Sequence, residues 1–529
     1  MRAQQASIMP GTIPAPIRGI NSISSFAAMD PTDAIITKNI DGSSLGLVVR
    51  PGYQEWANSF TGDEVKTVIP YKGIAEDGSK DKLFACTSAG IFDITSSTES
   101  PVIDHAWGIV SSDAGWDAYE VFTNDAGARV LLVTDLANGF RIYTESTDLW
   151  TTPTITGPTN GADDLVHVTI WKNRVWFVEK GTNSAWYTDV GVFSGAVTEF
   201  NFGNKFRYGG HLKSIHGWTL DSGVGPDDLL VAISSAGDVI VYSGTNPTSA
   251  STFGIVGAFY IGDFPAGRRC VLSVGGDLYL LSSYGVISAR DLLLGQNPYT
   301  YEGSISYRIN PLLRPSIKQD ITSLGWELQV LPDLAKIIVT TPKISNQPFT
   351  QFVYDMNLKS WGIWVGLPMT TVVTWKNDVY SGAVLQVHRV AGTLDNVEIT
   401  SPSPVPIYWS LLTAYNELES PQMNKVVEFI RPRFVAEGEP TYEVQAFYDY
   451  DLRELAQVIA SGSGSDVWDT GIWDQALWGG GKDKFQDLKG GSGMGKTVAI
   501  AMSGASTLGT TLVDIGVMWR NSINSRGML

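Results

Sequence analysis

The segment Gly490 to Thr497, GGSGMGKT, matches in full the pattern of a loop that cradles phosphate. That chemistry needs a buried strand before the loop and a helix after it, so that successive amides and the helix N-terminus surround the phosphates. Here the preceding DKFQDLKG is polar and the following TVAIAMSG reads as a strand, so the segment is expected to be a glycine turn that binds no nucleotide. Asp221, Asp227 and Asp228 in TLDSGVGPDDLL, or Asp449 and Asp451 in FYDYDL, could gather around calcium, but neither set has the spacing of an EF-hand loop. Glycoside hydrolysis would need two carboxylates across one cleft, which spacing along a chain does not reveal. The chain has no repeated Asp-box, no G-x-S-x-G elbow and no H-E-x-x-H helix. An enzyme is therefore the minority reading, and no catalytic residue and no cofactor is expected.

Histidine and cysteine narrow the chemistry further. His105, His167, His211, His216 and His388 include no metal-ligand helix pair, and the closest two, His211 and His216, lie in a mixed polar segment. No metal site is expected. Cys86 and Cys270 each sit inside an apolar run, which fits buried free thiols from a reducing compartment better than a disulfide. In ASGSGSDVWDTGIWDQALWGGG, Trp468, Trp473 and Trp478 recur every five residues. Five is neither the strand period nor the helix period, so these rings are expected to pin a glycine-rich loop onto a surface or a neighbouring subunit, with sugar stacking as the second reading.

The chain that must position these groups has 529 residues, 43% of them hydrophobic and 17% charged, enough apolar surface for sizeable cores. Its 37 Lys and Arg against 54 Asp and Glu give a formal charge of -17, which argues against phosphate-neutralising DNA binding. The N-terminal MRAQQASIMPGTIPAP has no apolar core of leader length, and no run approaches the roughly 18 apolar residues of a membrane span, so a soluble chain without a cleaved leader is expected.

The dominant pattern is a pair of short strands joined by a tight polar turn. It occurs at 82–94 (KLFACTSAGIFDI), 130–143 (VLLVTDLANGFRIY), 167–178 (HVTIWKNRVWFV), 229–244, 270–285 and 371–382 (TVVTWKNDVYSG). Asn138-Gly139 is a strong hairpin signal, and the third and sixth copies share Trp-Lys-Asn, a charged residue, Val and an aromatic. Further strands are expected at 336–345 and 351–366. Spacings of about 35 to 65 residues between most turns suit irregular propeller blades better than a solenoid of fixed period. A pair of strands is too small to bury its own face, and radial stacking solves that. The expected fold is all-β: an irregular β-propeller over 61–401, an extended Pro-rich arm over 1–60, and a β-sandwich-like domain over 402–529, with almost no amphipathic helix. A single large β-sandwich is the runner-up.

PAPIRGINSISSFAAMDPTDAIITKNI followed by VVRPGYQEWANSFTG, then SWGIWVG at 360–366, WKNDVYSG at 375–382, FIRPRFVAEGEPTYEV at 429–444 and VWDTGIWDQALWGGG at 467–481 together resemble the tail nozzle or tail-hub proteins of short-tailed bacteriophages, also called tail tubular protein B. The resemblance spans nearly the whole chain. It implies a structural virion protein, made in the host cytoplasm, that forms a homohexameric ring below a tail adaptor. Fibres or a tip protein would dock on it, and genomic DNA would pass through without being gripped. The candidate subunit or partner contacts are Trp468, Trp473 and Trp478 in the loop and Pro14, Pro16 and Tyr53 in the arm. A glycan-binding or glycan-hydrolysing propeller of a tail is the alternative.

Overall fold

The computed structural model describes residues 7–221, 226–249, 251–300, 303–398, 404–458 and 482–522. Their regular secondary structure is almost wholly short strands, and they divide into two units. One unit comprises Glu55–Phe349 and Pro368–Arg389. The other comprises Met1–Gln54, Thr350–Leu367 and Val390–Leu529.

The first of these is a β-propeller. Blade one contains Thr67–Tyr71, Lys82–Cys86, Gly90–Asp93 and Ile103–Ala106. Blade two contains Asp117–Thr123, Arg129–Asp135, Gly139–Thr144 and Leu149–Thr151. Blade three runs from Leu165–Trp171 through Arg174–Glu179 and Ser184–Tyr187 to Thr198–Asn201, and blade four from Leu212–Asp221 through Pro226–Ser234 and Asp238–Gly244 to Phe253–Tyr260. Blade five has three strands, Val271–Val274, Asp277–Ser282 and Gly285–Ser288, and blade six has the hairpin Glu327–Leu331 with Lys336–Thr340. Blade seven joins Thr371–Trp375, Asp378–Gly382 and Gln386–Val390 to the early strand Gln54–Asn58. The first strands of blades one, two, three and four pack in succession; four meets Asp277–Ser282 of five, five meets six, six meets seven, and seven returns to one. The ring therefore closes with seven blades. Mixing an early strand into the last blade ties the two ends of the ring together without a free edge.

The turns explain the sequence repeats. Lys172 and Asn173 have φ of 51° and 55°, and Lys376 and Asn377 have 49° and 65°. Each pair is a two-residue loop closed by Trp171 opposite Arg174 or by Trp375 opposite Asp378. Two consecutive left-handed residues are the signature of the hairpin turn whose twist matches its strands, and that geometry is what the shared Trp-Lys-Asn encodes. Asn138-Gly139 behaves differently from the expected two-residue turn. Asp135 faces Gly139, and only Gly139 takes positive φ, at 71°. The three residues between them are held by the Asp135 carboxylate, which accepts the amides of Ala137 (3.0 Å) and Asn138 (2.7 Å).

The other unit is a β-sandwich. One sheet orders Ile40–Ser43, Gly46–Val49, Thr510–Asn521, Lys425–Ala436 and Asp483–Phe485, with Met9–Pro14 also paired to Thr510–Asn521. The other orders Thr350–Asp355, Ser360–Val365, Ala34–Lys38, Val405–Thr413, Val498–Ser506 and Thr441–Tyr448. Every residue of Val498–Ser506 is buried. Its alternation puts Val498, Ile500 and Met502 into the core between the sheets with Ile430, Phe434 and Trp519, while Ala499 and Ala501 pack on the opposite face with Tyr415 and Phe447.

Three sequence expectations shift. Residues 9–54 do not form a separate arm: they supply strands and core residues such as Ile13 and Leu47 to the sandwich. Thr350–Leu367, expected in the propeller, belongs to the sandwich too, and its boundary is not a single cut near 402. Period-2 alternation identifies a strand but carries no label for the sheet that receives it. Helices also occur, Ala289–Leu293 and Asn310–Gln319. In the second, Pro311 opens the first turn and Leu313 and Ile317, one turn apart, are buried.

Candidate functional site

The first strands of blades two to six converge on a cavity of about 220 Å³ inside the propeller. Asp117–Thr123 brings Glu120, Leu165–Trp171 brings His167, Leu212–Asp221 brings His216, and Glu327–Leu331 brings Glu327. Arg268 and Arg269 enter from the loop just before blade five. The two imidazoles meet edge to face, with ring centroids 4.9 Å apart. Burial drives both toward the neutral form, His216 down to about 3 and His167 well below its ordinary range. His167 Nδ1 and His216 Nε2 are buried without a hydrogen-bond partner.

The two arginines differ sharply in what they touch. Arg269 donates to Thr67 Oγ1 (2.6 Å) and to the Lys66 carbonyl (2.7 Å), lies 3.5 Å from Glu327 Oε1, and stacks over Trp116 at 5.6 Å. Arg268 Nε is buried with no acceptor, and burial lowers the guanidinium to about 10. Lys213, which donates to the Ala266 carbonyl, falls to about 7 through burial and then through the charge of Arg268. Glu120 rises to about 7 by burial alone, so near neutrality its carboxyl is half protonated and able to donate. Glu327 is also raised by burial, with Arg269 opposing the shift.

Beside this cavity, Asp117 is fully interior; burial and then Asp135 hold its carboxyl well above the usual range. Cys86 is a buried free thiol, pushed up by burial and by Asp117, and Cys270 is a buried free thiol raised to about 12.

The residues singled out in the sequence are mostly elsewhere. Trp468, Trp473 and Trp478 lie outside the described residues. Pro14 ends a strand opposite Asp514, and Pro16 and Tyr53 are buried in the sandwich, where their surfaces are already covered by the chain itself rather than offered to a partner. Burial, followed by Asp395, lifts Tyr53 to about 12. Of the candidate calcium ligands, Asp228 pairs with Lys172 at 3.0 Å, Asp449 Oδ1 accepts the amides of Lys496 and Thr497, and Asp451 pairs with Arg453. Among the described residues no cluster of three His, Cys, Asp or Glu is arranged to hold a metal ion. The phosphate-loop match runs through the strand Lys489–Gly490 straight into the strand Val498–Ser506, so no helix N-terminus follows it. Among the described residues no helix is long and apolar enough to cross a membrane.

Sequence spacing could not have found the axial cavity, because His167 and His216 sit on different blades. The one local signal was Arg268-Arg269 placed directly before the buried Cys270.

No family model matches the chain, and no curated protein matches it. Several solved structures share a general likeness. A crystal structure of BBS1N in complex with ARL6DN is 12% identical, with 46% of this chain and 73% of that chain covered and a TM-score of 0.27. Raptor from Chaetomium thermophilum is 14% identical, with 65% and 29% covered and a TM-score of 0.37. A quinonprotein alcohol dehydrogenase-like protein from Bacteroides thetaiotaomicron is 12% identical, with 67% and 66% covered and a TM-score of 0.30.

Proposed function

We propose that the chain is a structural subunit of a short phage tail, the nozzle or hub through which DNA leaves and on which adaptor, fibres or a tip protein dock. The observation that carries this reading is where the family-like segments lie. Segments at 14–40, 360–366 and 429–444, scattered along the sequence, fall in the sandwich, while 48–62 runs from the sandwich into the propeller and 375–382 lies in the propeller. The chain passes between sandwich and propeller at 54/55, 349/350, 367/368 and 389/390, so the propeller is inserted into the sandwich sequence rather than appended to it.

Two further features support assembly. Val102, Ile109, Val110 and Leu149 are exposed aliphatics at the outer strands of blades one and two and the loop between these blades, available to a docking partner. The net charge of -17 would let DNA slide past without sticking. Homohexamer formation is part of this proposal.

Native mass measurement and negative-stain imaging of the purified chain, alone and with tail extract, test it. Six-fold rings with a central channel, lost when Trp468, Trp473 and Trp478 are together replaced by Ala, are the expected result. A persistent monomer absent from tails overturns the reading and returns attention to the glycan-binding alternative.

A further inference from the structure

We propose that the axial cavity of the propeller is a binding site for a small oxyanion, a carboxylate or a phosphate, received by Arg268 together with His167 and His216. The argument rests on the contrast between neighbouring arginines. Arg269 has two hydrogen-bond acceptors and a carboxylate, whereas no hydrogen bond or ion pair is made by Arg268 among the described residues. Arg268 is half-buried with its Nε fully covered, and a charge drawn out of water without a counter-charge is costly, a cost that an anionic ligand would relieve.

The surroundings of Arg268 deepen the deficit. The groups that sense its charge are His167, His211 and Lys213, all basic, and each is shifted toward its neutral form. Of the two carboxylates lining the cavity, Glu327 is engaged by Arg269, and Glu120 is shifted by burial alone, with no cation acting on it. In a chain with a formal charge of -17, this is a pocket of uncompensated positive potential. Besides Arg268 Nε, the buried lining atoms without hydrogen-bond partners are His167 Nδ1, His216 Nε2 and Glu327 Oε2, and either imidazole nitrogen can donate to an anion once protonated or in the matching tautomer. A half-protonated Glu120 adds a donor that suits a hydroxyl or a second oxygen of the ligand. At about 220 Å³ the cavity admits a molecule of sugar-acid size and excludes a nucleic-acid duplex or a folded peptide.

The test uses the full chain with three probes: inorganic phosphate, acetate and glucuronate. Calorimetric titration and thermal melts are run on wild type and on Arg268→Met. At least one probe should bind wild type and raise its melting temperature, because a ligand selective for the folded state stabilises it by mass action. Arg268→Met should lose more than about ten-fold in affinity, yet melt at or above wild type in anion-free buffer, since the unpaired buried charge is gone. A purely structural arginine would do the reverse and lower the melt. Response to phosphate alone assigns the phosphate class; response to acetate or glucuronate alone assigns the carboxylate class. If Arg268→Met does not fold, Arg268→Lys keeps the charge, loses the fork, and should still weaken binding measurably. Absence of binding by all three probes, or equal binding by the variants, overturns the proposal.

Discussion

The guanidinium of Arg50 forks onto the carboxylate of Asp395, with Nη2 to Oδ2 at 2.6 Å and Nη1 to Oδ1 at 2.8 Å. Its Nε donates to Asn39 Oδ1 at 2.9 Å and its side chain is almost wholly buried. Two segments far apart in sequence are thereby fixed to each other inside the sandwich. Removing one member leaves the other buried and unpaired, so Arg50→Ala and Asp395→Ala should each cost about 3 to 5 kcal/mol. Exchanging both for apolar residues of similar size should cost clearly less than the sum. Urea titration of the two single variants and the double variant measures this coupling, and simple additivity would refute it.

Two residues on, Gly52 shows why this step of the chain tolerates no side chain. A Cβ built there would lie 1.9 Å from the Leu394 carbonyl oxygen, and the amide of Tyr53 donates to that same oxygen at 3.1 Å. Since the obstacle is backbone, it cannot swing aside. Gly52→Ala should destabilise the sandwich by more than an ordinary surface change, on the order of 2 kcal/mol or more. A thermal melt of this variant that overlays wild type would show that Leu394 is free to retreat.

The paired turns of blades three and seven give a gentler test. Asn377 holds φ of 65° and Asn173 holds 55°, values that glycine reaches without strain and β-branched residues resist. Asn377→Gly should be neutral or slightly stabilising, while Asn377→Val should cost about 1 to 2 kcal/mol. The same ordering should hold at Asn173. Denaturant midpoints of the four variants decide it, and equal midpoints for Gly and Val would mean that the loop has changed its turn.

These turns also show what the sequence made legible. The hairpins at 82–94, 130–143, 167–178, 229–244, 270–285 and 371–382 all occur as adjacent antiparallel strands, because a tight turn between two alternating runs is local information. Assignment to a sheet is not local. SWGIWVG reads like any blade strand, yet Ser360–Val365 lies in the sandwich beside Ala34–Lys38. Pro14 and Pro16 suggest an extended arm held away from helix, and Met9–Pro14 is indeed extended but as an edge strand whose Pro residues are tolerated at the sheet margin. The axial cavity was hidden for the same reason: its groups come from five blades and the loop before blade five, and apart from the Arg268-Arg269 pair each reads as an ordinary polar residue in a strand.

The buried histidines make stability depend on pH in a definite direction. Burial lowers His216 from 6.5 to about 3 and His388 from 6.5 to about 4. Below pH 6.5 the unfolded chain therefore takes up protons that the folded chain refuses, so their contribution is fully present above that value and lost as pH falls toward 4 and 3. Glu120 acts oppositely. Its folded value is raised from 4.5 to about 7, so its contribution is present below 4.5 and lost as pH rises through 7. The two effects compete between 4.5 and 6.5, and two histidines should outweigh one carboxyl. Urea midpoints should thus fall on acidification below 6.5, more steeply in Glu120→Gln, which also removes a destabilising charge at neutral pH. In the double variant His216→Gln, His388→Gln the acid loss should shrink by an amount on the order of a few kcal/mol, since a tenfold difference in proton affinity between the folded and unfolded chain is worth about 1.4 kcal/mol. An acid limb unchanged in that double variant would show that these imidazoles open to water before the fold does, and that groups elsewhere set the acid response.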